Sequence, residues 1–593
     1  MDSSPKIGVF LCTCGHMMND YFDTRALLAS AAKEPGVSSV DEGGFLCTKS
    51  GLEWLKIKIA RSGCERVVIA GCSPHQHELK FRQAIEEAGL NRSLMTIANL
   101  REGCVWVCRD KKECLPKAER MLKAAIHRVA LAKPVDMVQA RMSSSALIIG
   151  AGESGVRIAL ELHRLGIQPL VIDSQPRPEG EREAFLPTPC TLLGTGGSGS
   201  GQDIGGQRHD FSALLKELSH KKIELLTSTE VREVAGGVGA FRVVLDTQGR
   251  ERLVEVGSIV VASGSRLEDG ANLAKLGSYS RIVSLGRLQK MIEAEPERLE
   301  RMMITAERRA KHVCFILGGP RGEKSLLAPF VKRASIMALN QAILLRRRFK
   351  AEVAIVASDI IVCGAGLEDL YRLARQSGVL FFRTPESRPP QVSLEKGVIK
   401  IRVYDSALAD CIRESASGED DGGYPVLIQA DLLALEDEVL PSLGTETLQS
   451  ILRVDLAGIS SFYQGNIHLK PNLSNRRGVF VVGSCHGVED GGEMLSDIRS
   501  VAMAVFSLLS RPNLAVEQKV VINTDKCALC LTCIRTCPHR AIEFGEVKAG
   551  QKWGARVIPQ ACQGCGICAG ECPAKAIEMV QYSDDQIFSE LTL

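Results

Sequence analysis

No apolar run in this 593-residue chain approaches the roughly 18 residues that a membrane-spanning helix requires. The opening MDSSPKIGVF lacks the charged start and apolar core of a signal peptide, so a cytoplasmic protein is expected. Charge of one sign is lacking too. The formal net charge is +3, which makes no case for nucleic acid, and the basic run from Arg346 to Lys350 reads as the solvated end of a helix. No C-x-x-C pair occurs between residues 115 and 526, which argues against dithiol chemistry in the centre of the chain. Nothing in the sequence supplies a general base or nucleophile for a small organic substrate, so no catalytic residue is assigned.

What the chain has is cysteine, 21 of them. In a reducing compartment this favours metal ligation over disulfides. Two concentrations stand out: eight cysteines in the tail and eight within the first 114 residues. The length suggests about four domains, and a hydrophobic content of 45% supports globular cores.

The tail carries KCALCLTCIRTCPHRAI from Lys526 and ACQGCGICAGECPAKAI from Ala561, each reading C-x2-C-x2-C-x3-C-P. In such runs the fourth cysteine ligates the other cluster. One 4Fe–4S cluster is therefore assigned to Cys527, Cys530, Cys533 and Cys572, and a second to Cys562, Cys565, Cys568 and Cys537. Zinc sites want four ligands in two pairs, not a doubled run of eight. Pro538 and Pro573 end the binding loops, and the AIEF and AIEM that follow should start short strands.

In the middle, Ser143 to Gln175 reads as strand, glycine turn, helix, strand, with G-x-G-x-x-G at Gly150, Gly152 and Gly155 and an acidic strand end at Asp173. Glycines there allow a tight turn and seat a pyrophosphate on the helix N-terminus, and the carboxylate stands at ribose distance. FAD is preferred over NAD because of two later segments. SIVVASGS is a buried strand ending in small residues, where Ser263 and Gly264 let backbone pass a cofactor. Gly478 to Leu509 is a strand, a glycine turn with Gly483 and Asp490, and a long helix, with Asp490 expected on the ribitol unless it caps that helix. Between them KHVCFILGGPRGE begins a second such half, but Gly318, Gly319 and Gly322 do not make the full glycine pattern. A fold kept without a nicotinamide site is expected at least as readily as a working one.

The head reads as a small α/β unit whose strands end at or near cysteines: Cys12 and Cys14, Cys47, Cys72, and Cys104. Ligands collect at the carboxyl ends of parallel strands, so four of these five are expected to hold a third 4Fe–4S cluster. The other reading is buried thiols packing as small apolar groups. Cys64, Cys108 and Cys114 are expected to be structural, and His75 and His77 to be surface residues.

These segments resemble the heterodisulfide reductase family, in its flavin-carrying A component and the relatives of that component. The resemblance rests on FLCTCG, FLCTKSG, VVIAGCSPHQHELKFR and ANLREGCVWV in the head, GAGESG in the flavin domain, SDIIVCGAGLEDLYRLARQSGVLFFR in the middle, and FVVGSCHGVED before the tail. It implies an FAD and iron–sulfur subunit that takes electrons from a partner and can split them between acceptors of high and low potential. Two departures from the family are visible. The inserted ferredoxin is replaced by a Gly/Ser-rich link, Phe185 to Gln207, with Cys190 alone, and Glu323 to Leu339 lacks the family's cysteine run.

The expected fold is a multidomain α/β protein: a cysteine-rich α/β domain (1–135), an FAD domain of thioredoxin-reductase-like type with two dinucleotide-binding folds (143–310, closed by 465–512), an NAD-binding-like middle domain (311–464), and an α+β ferredoxin of bacterial two-cluster type (518–593). The expected function is electron transfer in a cytoplasmic hetero-oligomer of the heterodisulfide reductase kind. Its partners would be other subunits and an electron donor or ferredoxin-type protein, reached separately from the head and the tail, with no nucleic acid. The alternatives are a self-sufficient NAD(P)H-dependent oxidoreductase, with nicotinamide near Gly318 to Gly322, and a mainly structural hub.

Overall fold

The computed structural model describes residues 5–178, 211–268, 279–304, 311–318, 331–385, 387–395, 398–405, 408, 424–457, 461–462, 472–488, 490–548 and 552–591. The chain divides into two compact units. One joins Met1–Ala140 to Asn513–Leu593, and the other is Arg141–Pro512.

In the first unit, strands β1 (Ile7–Cys12), β2 (Val37–Gly43), β3 (Arg66–Ala70) and β4 (Met95–Ala98) form a parallel sheet in the order β2-β1-β3-β4. Every residue of β1 is buried, as an apolar strand covered on both faces must be. Its side chains alternate between the faces. Val9 and Leu11 pack with Leu27 of α1 (Thr24–Ala31) and Leu122 of α4 (Lys111–Ala130). Phe10 and Cys12 pack with Leu55 of α2 (Lys49–Ser62) and Phe81 of α3 (Pro74–Glu87). Local chemistry sets the helix starts: Asp110 accepts the amide of Lys112 at 2.9 Å, and Thr48 that of Gly51 at 3.2 Å.

The tail forms two short ribbons, Val520–Ile522 with Ile577–Met579 and Ile542–Lys548 with Lys552–Val557, both antiparallel. Both strands expected after the cysteine runs are present. The tail belongs to the same unit as the head. Arg128 of α4 donates to Glu590 at 2.9 Å and to the carbonyl of Gln581 at 3.2 Å, and stacks over Tyr582. Arg92 pairs with Glu517 at 3.2 Å. Replacing Arg128 with alanine is expected to cost about 1 kcal/mol and to speed proteolytic trimming of the terminal helix Asp584–Leu591; an unchanged trimming rate would mean that the apolar contacts alone hold it.

The second unit contains the same arrangement twice. Five parallel strands lie in the order Val479–Val481, Ser258–Val261, Ser145–Ile149, Gln168–Ile172, Glu224–Leu226. Five more run Ile282–Ser284, Leu432–Leu435, His312–Leu317, Glu352–Ala357, Leu380–Arg383. In each, the last strand of that order is followed by a three-stranded antiparallel meander before the chain returns to the sheet: residues 229–256 in the first and 391–430 in the second. These are two dinucleotide-binding folds, each with a switch point beside its central strand. Among the described residues no helix is long and apolar enough to cross a membrane.

Candidate functional site

The first half opens into a cavity of about 470 Å³ at the switch point between Ser145–Ile149 and Ser258–Val261. Of the residues expected to bind FAD, Gly150, Gly152, Asp173, Ser263 and Gly264 line it. Gly150, at φ +111°, lies where a Cβ would meet the carbonyl oxygen of Ala262 at 2.2 Å, so only glycine lets the two strand ends approach. Gly155 does not line the cavity. It holds the helix α5 (Glu153–Arg164) against the turn, where a Cβ would lie 1.9 Å from the oxygen of Gly150. Asp173 accepts the amides of Ala151 at 2.6 Å and Gln175 at 2.8 Å, fixing the glycine turn. The hydroxyl oxygen of Ser263 is buried with no hydrogen-bond partner among the described residues, as expected of a group that awaits a ligand. The cavity, the helix N-terminus and this hydroxyl together fit a dinucleotide.

The closing segment sits differently from expectation. Val482 and Ser484 line the cavity, whereas Gly483 between them packs on Ser154 of α5. Asp490 does not line it. Its carboxylate caps the helix Gly491–Leu509 through the amide of Glu493 at 2.9 Å and pairs with the buried Lys332 at 2.8 Å. The aspartate that holds the segment is Asp497, which accepts from the amide of Gly483 at 2.7 Å and from His486 at 2.8 Å, with Asn472 alongside. Sequence reasoning passed over Asp497. It lies one helical turn beyond Glu493, on a helix read only for its apolar face.

In the second half the amide of Gly318 is donated to the carboxylate of Glu436 at 2.8 Å. Glu436 directly follows the strand Leu432–Leu435, the place taken in the first half by Ala262 and Ser263. A carboxylate is thus fixed at the end of the strand beside the one that leads into Gly318. Gly319 and Gly322, the link Phe185 to Gln207 and the first part of Glu323 to Leu339 lie outside the described residues.

In the tail the eight cysteines fall into two groups of four. Cys527, Cys530, Cys533 and Cys572 line one small cavity; Cys537, Cys562, Cys565 and Cys568 line the other. Each group takes its fourth sulfur from the other run. The fourth sulfurs also accept backbone amides, Cys537 from Ala541 and Cys572 from Ala576, both at 3.3 Å. Amide donors to sulfur are among the contacts that set a cluster's potential. Burial, with Cys537, Cys562 and Cys565 close by, pushes the Cys568 thiol up to about 11.

The head contains two thiol groups on opposite faces of its sheet. Cys12 and Cys72 lie with Cys47 in the core of the α2/α3 face, beside the β1/β3 switch point. Gly71, at φ +149°, makes this possible, because a Cβ there would meet that of Cys12 at 2.8 Å. A hydrogen bond from Cys72 holds the Cys12 thiol down at about 6. The same bond, then burial and the nearby Cys12, Cys14 and Cys47, pushes Cys72 up. Arg101 donates to Cys14 at 3.6 Å. His77, read from sequence as a surface residue, has a ring nitrogen within 4.8 Å of Cys47 and Cys72, and its buried Nδ1 has no hydrogen-bond partner among the described residues. Both Arg101 and His77 follow within five residues of a strand end or its cysteine, a signal the sequence offered.

Cys104 is the one of the five that stands apart. It follows β4, but a π-turn, Arg101–Val105, carries its sulfur into the α1/α4 face, away from Cys12, Cys47 and Cys72. There it joins Cys108 and Cys114, which the sequence left as structural. Burial pushes the Cys104 thiol up to about 12 and Cys114 up to about 11.

Residues 526–576 match the family model of the 4Fe-4S dicluster domain. The chain is similar to the A component of the H2:CoB-CoM heterodisulfide,ferredoxin reductase of Methanothermobacter marburgensis, 23% identical over 631 residues, with 91% of each chain covered. It is also similar to the iron-sulfur A component of the CoB–CoM heterodisulfide reductase of Methanocaldococcus jannaschii, 25% identical with 92% of each covered. These alignments run longer than the chain itself, so the relatives carry segments it lacks. Among solved structures, thioredoxin reductase from Lactococcus lactis covers 62% of this chain and 99% of its own at 14% identity, with a TM-score of 0.37. Along nearly its whole length, from cysteine-rich head to ferredoxin tail, the chain resembles the A components of heterodisulfide reductases, and it is an oxidoreductase.

Proposed function

We propose that the chain is the FAD- and 4Fe–4S-carrying electron-transfer subunit of a heterodisulfide-reductase-like complex, passing electrons between partner subunits. The observation that carries this reading is the grouping of the eight tail cysteines into two sets of four in a chain that also holds a cavity of about 470 Å³ at a dinucleotide turn, with a hydroxyl that has no partner among the described residues. Asp173 and the glycine turn would seat the dinucleotide, and Ser263 would donate to it. Bound there, FAD would supply interconversion of two-electron and one-electron chemistry. In the head, Cys12, Cys14, Cys47 and Cys72 would hold a third cluster, with the Arg101 guanidinium offsetting its negative charge.

The shared unit of head and tail favours one relay surface over two ports at opposite ends. Splitting of electrons between two acceptors needs relays beside the flavin. The two stretches where the family carries them hold one cysteine, Cys190, between them, so we assign transfer without splitting.

A self-sufficient NAD(P)H oxidoreductase is disfavoured by Glu436 on the amide of Gly318. The test is anaerobic mixing of the purified chain with reduced low-potential ferredoxin or with NADH. Ferredoxin is expected to bleach both cluster and flavin absorbance, and NADH to leave them unchanged. Rapid bleaching by NADH alone would replace the proposal with the self-sufficient enzyme; no response to ferredoxin would leave the structural hub.

A further inference from the structure

We propose that Cys104, Cys108 and Cys114 form a second metal site in the head, binding one thiophilic ion, zinc(II), separate from any iron–sulfur cluster. The three sulfurs lie within 4.8 Å of one another, and those of Cys104 and Cys108 are 3.9 Å apart. A zinc–sulfur bond of about 2.3 Å in tetrahedral geometry holds two thiolates about 3.8 Å apart, so little movement is needed. Thiolates select soft ions such as zinc over calcium or magnesium.

Packing does not require this convergence. A buried cysteine used as a small apolar residue has no need to bring its sulfur against two others. Two of the three are fully buried while Cys108 is half-exposed, so an ion can enter from the Cys108 side and keep a water as its fourth ligand. The group lies on the α1/α4 face, across the sheet from Cys12, Cys47 and Cys72, and cannot be part of their site.

Binding exchanges three S–H bonds for three Zn–S bonds and releases three protons, with no change of oxidation state. The single negative charge left on the site is offset by the N-terminal end of α4, where Cys114 sits in the first turn, and by Lys117 three residues on. The ion would pin the loop between β4 and α4. The far end of α4 carries Arg128, which holds the ferredoxin tail, so the site would brace the helix that joins the two cysteine-rich parts.

The experiment uses the full chain, purified without oxygen from cells grown with added zinc sulfate. Metal analysis is expected to find about one zinc per chain, and zinc K-edge absorption about three sulfur neighbours near 2.3 Å. Cys108→Ser, at the half-exposed position, should lower zinc at least about tenfold while iron and flavin stay unchanged. Cys314→Ser, at a buried cysteine elsewhere, should leave zinc as it was. The proposal fails if the wild-type chain holds no zinc, if zinc survives in Cys108→Ser, or if that variant loses iron. It also fails if intact mass shows a disulfide among the three thiols.

Discussion

Replacing Cys72 with serine removes about four of about twelve irons per chain, and replacing Cys104 with serine removes none. The contrast follows from the sheet. Cys72 stands at the end of β3 beside β1, where it shares a hydrogen bond with Cys12 and lies close to Cys14 and Cys47. Removing one of four thiolates from such a site leaves a cluster with an open iron and three ligands, which is lost on purification. Cys104 follows the neighbouring strand β4, yet its sulfur is on the other face. Iron and flavin analysis on both variants, with Cys12→Ser beside them, reads the outcome directly. The irons of the tail, which belongs to the same unit as the head, report whether each variant still folds. Loss of four irons from Cys104→Ser would return that residue to the cluster and put one of the other four outside it. Eight irons in the wild type would leave the head without a cluster at all.

Replacing Gly152 with valine empties the flavin cavity: bound FAD falls from about one per chain by at least tenfold, with the tail clusters intact. Gly152 is the right position because its backbone is ordinary, at φ −69° and ψ −177°, so no backbone strain opposes a side chain at a residue that lines the cavity. Gly150→Ala makes the contrasting case. There a Cβ meets the oxygen of Ala262 at 2.2 Å in a left-handed backbone, and the sheet itself must shift. That variant is expected to lose soluble protein as well as flavin. Stoichiometric flavin in Gly152→Val would mean that the dinucleotide lies elsewhere. Ser263→Ala should weaken FAD binding without abolishing it, since it removes one hydrogen bond from a site with several.

How legible the site was in sequence depended on how local its chemistry is. The grouping of the tail cysteines follows from spacing within two short runs. The crossing of the fourth cysteine was readable too, because the two runs repeat one unit. The glycine turn, its helix and Asp173 occupy about 30 consecutive residues and were equally plain. Asp490 was harder. In EDGGEML an aspartate three residues before a glutamate is a helix-capping pattern as well as a cofactor-binding one, and the structure uses it as a cap. Asp497 gave no local sign, because its partners Gly483, His486 and Asn472 are brought to it by the turn that precedes the helix.

The kinds of chemistry present were written in the order of residues: two runs of cluster-binding thiols, one dinucleotide turn, and a head with more cysteines than one cluster can use. How those extra cysteines divide was settled by folding. A parallel sheet gathers strand ends at one edge, but it has two faces, and a single π-turn after β4 is enough to send Cys104 to the face opposite Cys12. Folding also placed head and tail in one unit, through Arg128 and residues more than 450 positions away. Spacing along a chain records which residues turn together; it carries no record of the face on which a side chain lands, nor of which distant surfaces bury each other.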